Sequence, residues 1–232
     1  MAYKDFANDW RKGITRDVLF FYGAEDYLMD WAVREIISKY VDEEWRSLDY
    51  RQLDGSTVSS YDIMSEARAY SMFSEKRVIV VKDWLPLYRK SSDPGADELL
   101  KFASEKQDTS VLIFLLESRF SGDITSYGRK LGKAAGSYDF ARLDKADLKS
   151  FISKRVRAAD KILARRELEF LIDISGYYNK ESTYTLTQLD ADIGKIVKAC
   201  QGDQITADVI EELLTGDNDR FVFNLVDAVV SG

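Results

Sequence analysis

DVLFFYG, at Asp17–Gly23, decides the fold. Val18–Tyr22 run apolar or aromatic without a break, between an acid and a glycine. A strand with one wet face alternates apolar and polar residues, whereas a strand covered on both faces does not. Two later stretches repeat the pattern: RVIVVKD at Arg77–Asp83 and SVLIFLLE at Ser110–Glu117. Between them lie stretches of helical periodicity. Glu25–Tyr40 places Leu28, Ala32 and Ile36 on one face, and Ser59–Tyr70 is also helical. Asp93-Pro94-Gly95 is a turn that starts a helix over Ala96–Glu105, and Ile124–Ala135 reads as a helix ending at Gly136. Weaker strands are expected over Ser47–Asp54 and Ser137–Leu143. Buried strands alternating with helices mean a mostly parallel, doubly wound α/β sheet over residues 1–142.

After Leu143 the strand pattern stops. Asp144 can cap a helix to about Ala158; Arg165–Tyr178, Tyr184–Cys200 and Ala207–Leu214 follow as helices. Residues 143–214 are therefore expected to form a small all-α domain. Phe221, Leu225 and Val229 share one stripe of a further helix, within a third segment at 215–232.

Composition narrows the chemistry. A chain of 232 residues with 45% apolar side chains can build a core without covalent staples, and its one cysteine, Cys200, can form no internal disulfide. That fits a reducing, cytoplasmic setting. No apolar run approaches the length of a bilayer span, so no membrane role is expected. Histidine is absent, which removes triads built on His and Cys/His zinc sites; no catalytic residue and no metal ligand is assigned. Charge is uneven. Residues 1–128 hold 17 basic and 23 acidic groups, 129–166 hold 12 and 4, and 167–232 hold 4 and 13. The middle segment, net +8, could face phosphates or could be a solvated surface. Arg129, Lys130 and Lys133 are its first candidates for DNA contact, with Lys154, Arg155 and Arg157 as alternatives.

An α/β domain followed by a helical one is the layout of an AAA+ ATPase module. Such a module carries a glycine-rich loop with a lysine between its first strand and helix. Here that junction reads Tyr22-Gly23-Ala24-Glu25-Asp26-Tyr27-Leu28, with one glycine, no lysine and two carboxylates that would repel a triphosphate. Asp83, alone after Lys82, reads as a turn residue at a strand end rather than a magnesium ligand. No nucleotide or other cofactor is expected.

The order of several motifs resembles the delta subunit of the bacterial DNA polymerase III clamp loader. They are Phe21-Tyr22-Gly23-Ala24-Glu25-Asp26-Tyr27-Leu28, Ser71-Met72-Phe73 ahead of Arg77–Val81, Leu186–Val197 with Gln204-Ile205-Thr206, and Asp219–Ala228. The chain departs from the family at Asp192-Ile193-Gly194-Lys195, where a Glu-Lys pair is usual, and it stops within the first helix of the family's third, collar domain. The resemblance implies an AAA+-like subunit of DNA replication that is not itself an enzyme, though the family forms part of a DNA polymerase holoenzyme. It implies binding to the sliding clamp (the beta subunit) and stabilisation of its open form for loading onto primed DNA. Other clamp-loader subunits would be met through the collar. Tyr70, Ser71, Met72 and Phe73 match the clamp-binding element; taken alone, Met72 and Phe73 would more often be core residues at a helix end. The rival functions are a nucleotide-dependent AAA+-like module and a nucleic-acid-binding module acting through 129–166.

Overall fold

The computed structural model describes residues 2–71, 73–179 and 182–215. The chain divides into two compact units, Met1–Arg142 and Leu143–Gly232.

The first unit is α/β. Its elements run α1 (Ala2–Lys12), β1 (Val18–Tyr22), α2 (Asp26–Tyr40), a 3-10 turn (Glu43–Trp45), α3 (Arg46–Asp49), β2 (Tyr50–Asp54), α4 (Ser60–Arg68) and β3 (Arg77–Lys82). They continue through α5 (Leu85–Tyr88), α6 (Ala96–Ser104), β4 (Ser110–Leu115), a second 3-10 turn (Ser118–Asp123), α7 (Ser126–Ala134) and β5 (Gly136–Asp139). The five strands form one parallel sheet in the order β2-β3-β4-β1-β5. The three unbroken apolar stretches are its three central strands. Their side chains are buried along almost the whole length, as a sheet covered on both faces requires. Each fully buried Phe, Leu or Ile there contributes roughly 1.5–3 kcal/mol. The edge strands β2 and β5 keep polar, exposed positions, which discourages pairing with another chain.

Helix starts follow the side chains available. Ser59 and Asp62 form a reciprocal capping box at α4, and Thr125 caps α7. Helix α1, where no element was expected, is held by Phe6. That ring is fully buried among Phe21, Trp31, Tyr138 and Phe140. The strand expected over Ser47–Asp54 is shorter. Residues 46–49 turn as α3 instead, with Leu48 exposed and the Asp49 carboxylate turned inward, so the Leu48/Tyr50 alternation does not describe a sheet face.

The second unit contains α8 (Lys145–Arg157), β6 (Ile162–Leu163), α9 (Arg165–Ser175), α10 (Leu186–Ala199), β7 (Gln204–Ile205) and α11 (Ala207–Thr215). Asp144 caps α8, Thr185 and Gln188 form a capping box at α10, and α9 ends at Gly176 in the left-handed region. The strands do not stop entirely at Leu143. β6 and β7 pair in parallel, two residues each, beside the helices. Lys161 secures this pair by donating to the carbonyls of Cys200 and Gly202. So short a ladder has no periodicity for a sequence to display. The stripe of Phe221, Leu225 and Val229 lies outside the described residues.

Candidate functional site

Helix α4 ends at Arg68, and an irregular segment leads from Ala69 to β3. Both ends of that segment are fixed. Arg77 donates to the Glu66 main-chain oxygen at 3.1 Å and to its carboxylate at 3.3 Å. Lys76 reaches the Asp17 carboxylate at 2.6 Å and the Gln107 main-chain oxygen at 2.8 Å.

Between these anchors Ser71 shapes the turn. Its hydroxyl donates to Asp49 Oδ2 at 2.9 Å, and its Oγ accepts from the N–H groups of Phe73 (3.1 Å) and Ser74 (2.8 Å). Ser74 Oγ accepts from the Asp42 N–H at 3.3 Å. The Phe73 ring stacks on Trp45 with centroids 4.0 Å apart and planes 15° from parallel, yet Phe73 remains 49% exposed. Tyr70 is 81% exposed. Both aromatics therefore stand on the surface rather than in the core. Met72 lies outside the described residues. Sequence reading missed Trp45 and Asp49. Their partners are more than twenty residues away, and neither sits in a periodic pattern.

The junction between β1 and α2 is taken up by the protein's own groups. Gly23 has φ +132 and donates its N–H to Ser121 Oγ at 2.9 Å. A Cβ at Gly23 would lie 2.6 Å from the main chain of Phe140. The Asp26 carboxylate accepts from the Ser118 N–H at 2.9 Å and its hydroxyl at 2.7 Å, and Glu25 is buried. An N–H already bound to Ser121 and carboxylates at the helix start cannot cradle phosphates. Asp83, beyond the end of β3, has φ +50 and accepts from the Glu117 N–H and from Arg119. The hydrogen bond to Asp83 and the charge of Glu117 push the Arg119 pKa up. No cluster that could hold a metal occurs among the described residues.

The basic candidates fall into both units. Arg129, Lys130 and Lys133 are exposed on α7, where Arg129 donates to the Ile124 main-chain oxygen at 2.6 Å. Lys154 and Arg157 are exposed on α8. Arg155, on the same helix, is held by both carboxylate oxygens of Asp190, each at 2.6 Å.

Residues 19–127 match the DNA polymerase III delta-subunit family. The matched stretch runs from β1 into α7 and includes Tyr70, Ser71 and Phe73. The fold of the chain is similar to that of the Bacillus subtilis DNA clamp loader delta protein YqeN, with a TM-score of 0.66 at 18% identity; the match covers 99% of this chain and 67% of that one. It is also similar to the Thermotoga maritima RuvB Holliday junction branch migration motor, with a TM-score of 0.56 at 14% identity, covering 91% and 66%. The chain thus spans about two thirds of the length of the structures it matches. No curated protein sequence matches it. The five-stranded parallel sheet with its helices is thus an α/β fold similar to those of both structures. No helix among the described residues is long and apolar enough to cross a membrane.

Proposed function

We propose that this chain is a clamp-loader subunit of the delta type, which binds the sliding clamp through Tyr70–Phe73 and holds the ring open during replication. One observation carries the reading. Phe73 is an exposed aromatic on a turn whose shape is fixed from behind by Ser71, Asp49 and Trp45, within the segment matched by the delta family. A preshaped apolar anchor loses little entropy on entering a partner's pocket.

Ring opening needs no bond chemistry in this subunit. It must bind open clamp more tightly than closed clamp, and the shift in population cannot exceed that difference in affinity. Energy from nucleotide would enter through other subunits of the loader, met through a collar domain, and primed DNA would be encountered within that assembly. The test is a clamp titration, followed by incubation of the chain with clamp preloaded on circular DNA. Saturable binding and faster clamp release without added nucleotide are expected. Tight binding with unchanged release would leave a docking module and remove the opening role.

A further inference from the structure

The exposed surface at Phe73 is wider than the matched motif. Among the described residues seven large hydrophobic side chains are exposed, and Leu48 (55%), Tyr70 and Phe73 belong to just two segments, which are bonded to each other. Single exposed apolar residues need no explanation, but a cluster marks a contact surface. Trp45 joins it as the half-buried face beneath Phe73. The rim is acidic. Asp42, Glu43, Glu44 and Glu75 are all exposed. Arg46 pairs with Glu43 at 3.4 Å, while Glu44 and Glu75 have no ion pair among the described residues.

We infer that Glu43–Asp49 forms a second wall of the clamp-binding surface, and that the whole surface is built for an apolar cleft bordered by lysine or arginine side chains. Trp45 is a positioning residue: it fixes the plane of Phe73 from behind. Asp49 positions the turn through Ser71. Leu48 and Tyr70 extend the apolar contact, and the rim of Glu44 and Glu75 steers and orients the partner. This inference rests on the clamp-binding reading above. The occupant follows from the charges, since an apolar pocket with an acidic border would be repelled.

The test titrates the sliding clamp from the same source with the full chain and four variants, each checked for its melting temperature. Phe73→Ala probes the underlying reading. Trp45→Ala is expected to weaken binding by about 10-fold or more, and Trp45→Phe, which keeps a stacking ring, to recover most of the loss. Glu44→Lys with Glu75→Lys should weaken binding at low salt and flatten its salt dependence. If Trp45→Ala lowers the melting temperature substantially, the Trp45→Phe variant and the charge reversal still decide. Loss of binding in Phe73→Ala with wild-type behaviour in the Trp45 and charge variants would confine the surface to the motif and overturn the second wall alone. Wild-type affinity in Phe73→Ala would remove the reading and the inference together. So would self-association of the chain through Phe73 with no clamp binding.

Discussion

The Ser71 hydroxyl donates to the buried carboxylate of Asp49 at 2.9 Å, across a separation of twenty-two residues. That bond joins the turn after α4 to α3 and orients the same oxygen to accept from the N–H groups of Phe73 and Ser74. Ser71→Ala removes all three interactions. The two N–H groups can turn to water, but the buried Asp49 carboxylate loses its donor, so the cost in stability should be about 1–3 kcal/mol. Urea unfolding should show that loss, and amide exchange should accelerate at Phe73 and Ser74 ahead of the sheet. Unchanged exchange at both amides would mean the turn is shaped by something other than Ser71.

Gly23→Ala should be far more damaging. At φ +132 an L side chain is strained, and the new Cβ would meet the N, C and O atoms of Phe140 at 2.6 Å. Main chain cannot step aside as a flexible side chain can. Strain and overpacking together should cost about 2–5 kcal/mol, read as a lower denaturation midpoint at unchanged slope. A midpoint within error of wild type would contradict the close approach of β1 and the segment after β5.

The β1–α2 junction leads to a prediction about nucleotide. Calorimetric titration with magnesium ATP should give no binding in the micromolar range, because Ser121 occupies the Gly23 N–H that a phosphate would need and the acidic side chains of Glu25 and Asp26 stand at the helix start. A micromolar affinity would return the chain to the nucleotide-dependent readings.

Most of the α/β unit was legible because its central strands are apolar throughout and its helices begin at side chains that cap them. DVLFFYG could be nothing else in a chain with this much helix around it. The parts that were not legible depend on distant partners. Leu48 and Tyr50 alternate like a strand, but Asp49 turns inward to meet Ser71, and α3 forms instead. Phe6 holds α1 through rings contributed by α2, β1 and the β5 region, so residues 2–12 carry no sign of it on their own. That the β1–α2 junction has one glycine and no lysine is read directly from Tyr22–Leu28, whereas the hydrogen bond from Gly23 to Ser121 was not legible. At Tyr70–Phe73 the motif was readable, but Trp45 beneath Phe73 was invisible until the segments were brought together.

The basic segment separates into groups that differ in availability. Arg155 is engaged by Asp190 and should behave as part of the second unit's surface: Arg155→Ala should cost no more than about 1 kcal/mol and leave any DNA affinity unchanged. Lys154 and Arg157 are exposed. If they meet phosphates, replacing both with Gln should make the slope of log affinity against log salt shallower by about 2. Fluorescence anisotropy with duplex DNA across a salt series measures both. An equal loss in Arg155→Ala would show that the Asp190 pair opens to bind DNA.

The central claim is that Phe73 faces a partner rather than the core, and one double variant tests it most directly. Met72→Ala with Phe73→Ala should remove sliding-clamp binding by roughly 30- to 1000-fold, the loss of about 2–4 kcal/mol expected for hot-spot anchors. On the Phe73 side the fold should lose the Trp45 stack, about 0.5–1.5 kcal/mol, and the melting temperature is expected to fall by a few degrees at most. Clamp titration and thermal melting on the same preparation decide the matter. Lost binding in a chain that still melts near the wild-type temperature is the predicted result; full clamp affinity in a folded double variant would contradict it.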